Sequence, residues 1–155
     1  MVKTINLRKL VPALLLPFFV SILSGFFTRN STDIYLNIKR PPLSPPSILF
    51  SFVWTALYLC LGFASYFMEE SKCDKKRPRQ AYLTLLALNL LWPIIFFRFN
   101  LFTVSAIVII MILIASILTL YFFYRCDEMA GYLIIPLVLW VAFATYLNIG
   151  VAALN

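Results

Sequence analysis

Between Leu101 and Tyr124 the chain runs for 24 residues without one charged side chain. Four other stretches are equally free of charge: Leu10 to Phe27, Ile48 to Met68, Ala81 to Phe97 and Gly131 to Leu154. Crossing the hydrocarbon core of a bilayer takes about 20 predominantly apolar residues in a helix, with a working range of about 17–25. The Ile and Val content of residues 101–124 would suit a strand in water. In lipid, a spanning segment must satisfy every backbone N–H and C=O within itself, and here only a helix does so. Composition points the same way. Only 12% of the 155 residues are charged and 63% are hydrophobic, whereas a soluble domain carries about a quarter charged residues. The expected fold class is an all-α integral membrane protein, a five-transmembrane-helix bundle forming one domain over residues 1–155.

The first apolar run has a basic prelude, Lys3, Arg8 and Lys9, which is also how a signal peptide begins. It lasts 18 residues and ends Gly25-Phe26-Phe27 with no small-x-small cleavage pattern, so it reads as the first span. Pro12 and Pro17 are expected to kink or shape it.

Five crossings put the termini on opposite sides. The segments on the N-terminal side carry nine basic residues, and those on the other side carry four, Arg29, Lys39, Arg40 and Arg98. The positive-inside rule then puts the N-terminus in the cytoplasm, with a bacterial cytoplasmic membrane as the expected location. The net charge of +7 is explained by this asymmetry and by contact with anionic headgroups. No nucleic-acid motif is present, and no nucleic-acid partner is expected. Cys60, Cys73 and Cys126 have no metal-ligand spacing. Cys60 reads as a small packing residue. Cys73 and Cys126 fall on the side expected to be reducing and should remain unpaired. Histidine is absent, which removes the commonest haem ligand and general base. No cofactor and no metal site are expected, and a bound tetrapyrrole would be held by shape, stacking and cations.

Within this frame one segment stands out, Pro41-Pro42-Leu43-Ser44-Pro45-Pro46. Prolines fix φ and lack an N–H, and the residues before them are driven to extended geometry. A stiff lid is therefore delivered to the mouth of the second span. That span carries Phe50, Trp54 and Tyr58, the last two on one helical face. Ala56, Cys60 and Ala64 form a small-residue stripe expected to allow close helix packing. The third span holds Asn89, Trp92 and Phe96, and Pro93 should free a carbonyl nearby. Trp140, Ala144 and Leu147 share a face of the fifth. Each has a bland alternative. A tryptophan can be an interfacial belt residue, Asn89 can be interhelical glue, and Lys39 and Arg40 can be ordinary solvated charge.

Several of these motifs occur together in a known family. Val53-Trp54-Thr55-Ala56-Leu57-Tyr58, Gly62-Phe63-Ala64, Asn89-Leu90-Leu91-Trp92-Pro93, Phe96-Phe97, Ile135-Pro136, Trp140 and Phe143 to Asn148 follow the proline segment in order. Over nearly its whole length the chain resembles the translocator protein family, also called tryptophan-rich sensory or peripheral benzodiazepine receptor proteins (TspO/MBR). The resemblance implies a helix bundle, often a homodimer, with a pocket roofed by the first loop. It implies binding of porphyrins such as protoporphyrin IX or another hydrophobic small molecule, for sensing, buffering or transport. By matching positions the pocket would draw on Tyr35, Pro46, Phe50, Trp54, Tyr58, Asn89, Trp92, Phe96, Trp140, Ala144 and Leu147. A runner-up activity implied by the family is light-dependent porphyrin degradation with Trp54 as the photochemical residue. A third reading is a partner-binding membrane protein without catalysis. The chain departs from the family pattern in three places: Leu43 and Ile34 stand where tryptophans are usual, and Ser105 where an Asp is usual. The family's proposed cholesterol motif lacks its Tyr and basic residue after Asn148, so sterol binding through that motif is not expected.

Overall fold

The computed structural model describes residues 5–29 and 31–155; Lys3, counted above among the basic residues, lies outside them. Among the described residues, five helical segments are long and apolar enough to cross a membrane: Leu7–Phe27, Ser47–Glu70, Lys76–Arg98, Phe102–Cys126 and Glu128–Leu154. These spans agree with the five charge-free runs and extend them by a few residues into the flanking polar segments. The elements are α1 (Leu7–Phe27), α2 (Ser31–Asn37), α3 (Ser47–Glu70), α4 (Lys76–Pro93), a π-helical turn (Ile94–Arg98), α5 (Phe102–Cys126), α6 (Glu128–Tyr132) and α7 (Ile135–Leu154). No strand occurs among the described residues.

α5 is the hub, packed against α4, α6 and α7. Its buried face alternates aliphatic side chains with Ser105, Ser116 and Thr119, all 0% exposed. These hydroxyls cost little there because each bonds a carbonyl of the preceding turn, Ser116 to Leu113 O and Thr119 to Ala115 O, both at 2.8 Å. α1 lies at the margin, with only Pro17 and Val20 buried. It runs as one helix through both prolines. Its seat on α3 is made by Gly62, where a Cβ would stand 2.6 Å from Leu14 Cδ2 and 3.3 Å from Ala13 O. In lipid, helices associate by close packing and not by the hydrophobic effect, so a missing side chain at such a contact matters. The expected small-residue stripe behaves differently. Ala64 is fully buried, but Ala56 is exposed and Cys60 only half-buried. The inward face of α3 is instead Tyr58, Leu61 and Ser65, one helical repeat apart.

The end of the bundle that carries the N-terminus is tied by charge and by sulfur. Arg79 makes a two-pronged ion pair with Glu69, Nε and Nη2 each 2.6 Å from a carboxylate oxygen. Lys9 reaches Glu70 at 2.8 Å. Cys73 and Cys126 form a disulfide across a Cα–Cα distance of 5.2 Å, which corrects the expectation that both remain unpaired. The reason is tertiary. Cys73 follows the end of α3, and Cys126 is the last residue of α5. α6 folds back beside both helices, with Gly131 so close to Tyr124 that a Cβ would sit 2.6 Å from the tyrosine Cβ.

The first loop is not wholly irregular: α2 occupies its first half. The proline segment then crosses the other end of the bundle. Backbone carbonyls there have few N–H partners, and hydroxyls supply them. Ser44 Oγ donates to Pro41 O at 2.7 Å, Tyr146 to Pro42 O at 2.9 Å, and Tyr35 to Pro45 O. The Asn155 side chain pairs with the Lys39 backbone in both directions, accepting from its N–H at 3.0 Å and donating to its carbonyl at 2.8 Å. Leu43 takes φ 67° in the turn and is 82% exposed. A left-handed backbone is unusual for a branched side chain.

Candidate ligand-binding site

Beneath this lid lies a cavity of about 330 Å³, in the range of small-molecule sites. α3 contributes Phe50, Trp54 and Tyr58, and α4 contributes Asn89 and Trp92. Phe96 comes from the π-turn, Ala144 and Leu147 come from α7, and Tyr35 comes down from the lid. Nine of the eleven residues expected at the site therefore meet around one space. The π-turn follows Pro93, which cannot donate to the carbonyl of Asn89, and this is the physical origin of the disturbed backbone.

Aromatic rings face the space from two sides. Trp54 and Tyr58 lie 5.8 Å apart at a tilt of 36°. Trp92 stacks on Phe96 at 5.2 Å and 29°. The Trp92 indole N–H donates to Asn148 Oδ1 at 3.2 Å, so its polar edge is already held. Asn89 is the opposite case. It is 4% exposed, and neither its Oδ1 nor its Nδ2 has a partner in the protein. A buried amide without partners is costly, and this one lines the cavity.

Two expected residues stand elsewhere. Pro46 is exposed and serves as the N-cap of α3 with ψ 147°. Trp140 stands behind the wall, edge-on to Phe50 at 5.7 Å, with its indole N–H buried and unpartnered. Of the two loop cations, Arg40 lines the cavity, its guanidinium 4.5 Å above the Tyr35 ring. The Lys39 backbone is turned toward Asn155 instead. Ser105, at the position where the family usually has an Asp, keeps a buried polar contact, 3.1 Å from Asn148 Oδ1.

The sequence reading missed a third wall, made of hydroxyls. Ser21 and Ser24 of α1 and Thr28 at its C-cap line the cavity, as do Ser47, Ser51 and Thr55 of α3. The signal was available. In each set the residues recur three or four apart within an otherwise apolar span, which puts them on one face. The cavity thus has two aromatic sides, one hydroxyl-rich side, an unpaired amide at depth and one guanidinium at the mouth. No carboxylate, histidine or thiol is among the described residues that line it. The arrangement suits reversible capture of a flat, largely apolar molecule with a few polar edges. Its titratable side chains, among the described residues, are the phenols of Tyr35 and Tyr58 and the Arg40 guanidinium.

These features define a multi-pass membrane protein with an internal, lidded cavity of ligand size. The model of the TspO/MBR family matches residues 13–154, and the chain belongs to that family. It is 33% identical to "Tryptophan-rich protein TspO" of Archaeoglobus fulgidus over 152 residues, covering 97% of this chain and 99% of that protein. It is 32% identical to "Tryptophan-rich sensory protein" of Cereibacter sphaeroides, over 78% of this chain and 76% of that one. It is 30% identical to the human "Translocator protein", over 81% of this chain and 76% of that one.

Proposed function

We propose that the cavity binds tetrapyrroles of the protoporphyrin IX type, or related flat hydrophobic molecules, for sensing, buffering or transport. The observation that carries this reading is the unpartnered Asn89 amide in a cavity that the Trp54–Tyr58 and Trp92–Phe96 ring pairs also line. Ring faces accept a flat ligand by stacking, and the amide supplies a donor and an acceptor for its polar edge. Arg40 at the mouth suits a carboxylate that remains near the membrane surface. Titration of the purified protein with protoporphyrin IX, followed by its fluorescence, tests the reading. Saturable one-site binding is expected, and its absence would sink the proposal.

A second reading, light-dependent degradation of the bound ring, is favoured by the position of Trp54 on the cavity wall beside Tyr58. Illumination of the complex separates the two. Trp54→Phe should leave affinity within a few-fold while stopping absorbance loss under light; equal bleaching in both proteins would remove the enzymatic role.

For orientation we infer that the N-terminus is cytoplasmic in a bacterial cytoplasmic membrane, on the excess of basic residues at that end. The lid then faces outward.

A further inference from the structure

A second hollow, of about 770 Å³, opens on the flank of the bundle beside the lid. Phe26 and Arg29 border it from the end of α1, and Phe97, Arg98 and Phe99 from the π-turn and the residue after it. Phe97 and Ser31 line both this hollow and the central cavity, so the two spaces share a wall. Phe26 and Phe99 are 60% and 61% exposed, at the end of the first span and just past the end of the third.

The charges at this rim are one-sided. Arg29 lies with its guanidinium 5.3 Å from the Phe26 ring centroid. Neither Arg29 nor Arg98 forms an ion pair among the described residues. Asp33 is the one acidic residue in the lid-side segments, residues 28–47 and 98–100, and it does not line the hollow. A guanidinium offers a planar fork of donors that matches a phosphate better than an ammonium does. Two forks at the bilayer rim, above exposed aromatic rings, match a molecule with an anionic phosphate head and an apolar tail. π-turns inside helices are frequent at functional sites, and this one places Phe97 and Arg98 one after the other at the opening.

We infer that the hollow is a site for an anionic phospholipid of the lid-side leaflet. Its phosphate rests on Arg29 and Arg98. One acyl chain lies over Phe26 and Phe99 and passes Phe97 toward the central cavity. The inference does not depend on which molecule the central cavity binds.

Trp92 is the natural reporter, because Phe97 packs edge-on against it at 5.8 Å. The test uses the full chain carrying Trp54→Phe and Trp140→Phe, which leaves Trp92 as its one tryptophan. This protein is placed in phosphatidylcholine nanodiscs doped with acyl-brominated phosphatidylglycerol, or with acyl-brominated phosphatidylcholine at the same mole fraction. Quenching of Trp92 by the anionic lipid should exceed that by the neutral lipid by about twofold or more. Arg29→Gln with Arg98→Gln should abolish the difference, while Lys72→Gln with Lys76→Gln, at the far end, should leave it. Equal quenching by the two lipids, or a difference that survives the double arginine change, would overturn the proposal. A second measurement needs no variant: native mass spectrometry of the wild-type chain released from a mixed-lipid detergent. Retention of one phosphatidylglycerol in preference to phosphatidylcholine is expected, and no preference would overturn the site equally.

Discussion

Trp92 and Asn148, on α4 and α7, are joined through the indole N–H and the amide oxygen at 3.2 Å. Ser105 of α5 approaches the same oxygen at 3.1 Å, so one acceptor knits three helices. Ser105 also lies 2.8 Å from Phe102 O, and a hydroxyl has only one proton to give. The two donors are therefore unequal. Asn148→Leu leaves the Trp92 N–H without its acceptor and should cost about 1–3 kcal/mol, the price of an orphaned buried donor. Ser105→Ala should cost less than about 1 kcal/mol, in line with interhelical hydrogen bonds in membranes. Unfolding of the purified protein in mixed micelles measures both. Equal losses would mean that Ser105, and not Trp92, dominates the knot.

Asn89 should show opposite effects on stability and on binding. Its amide is buried without a partner, so Asn89→Leu removes a desolvation penalty worth about 1–3 kcal/mol. The empty protein should melt at a higher temperature. The same change should weaken protoporphyrin binding about tenfold, equivalent to about 1.4 kcal/mol. If affinity is unchanged while stability rises, the amide does not contact the ligand.

The lid is held to α7 at a point where no side chain fits. A Cβ on Gly150 would stand 2.6 Å from Pro41 Cβ and Cγ. Pro41 belongs to a stiff segment that cannot yield locally. Gly150→Leu should therefore push the lid away as a unit, at a cost of about 1–3 kcal/mol typical of overpacking. Faster ligand release and new proteolytic cleavage between Lys39 and Ser47 are the expected readouts. An unaltered release rate would show that the lid does not control escape.

Two physical cues disagree about the end that holds the disulfide. Its basic residues argue for the cytoplasm. The Cys73–Cys126 bridge argues for an oxidising compartment, since cytosolic disulfides are rare outside hyperthermophiles. With the N-terminus cytoplasmic, a membrane-impermeant maleimide should label the reduced Cys73 and Cys126 only after cells are broken open. Labelling in intact cells after mild reduction would invert the orientation.

Much of this protein was legible along the chain because membrane helices are specified locally. Charge-free length marked the five spans, and three- or four-residue spacing brought Trp54, Tyr58, Asn89, Trp92 and Ala144 to the cavity side of their helices. The prolines announced the lid. Periodicity gives the face of a helix, but it does not say which neighbour that face meets or how deep a residue sits. Trp140 shares the spacing of Ala144 and Leu147, yet it stands behind Phe50, and Pro46 caps α3 in place of lining the cavity. Cys73 and Cys126, 53 residues apart, meet only because α3, α5 and α6 converge at one end. Asn148 became the shared acceptor for Trp92 and Ser105 by the same kind of convergence, while Asn89, equally polar and equally buried, was left without a partner. Local pattern determined the helices and the aromatic content of the site. Helix packing, which joins residues far apart in sequence, decided which polar groups are satisfied and which are not.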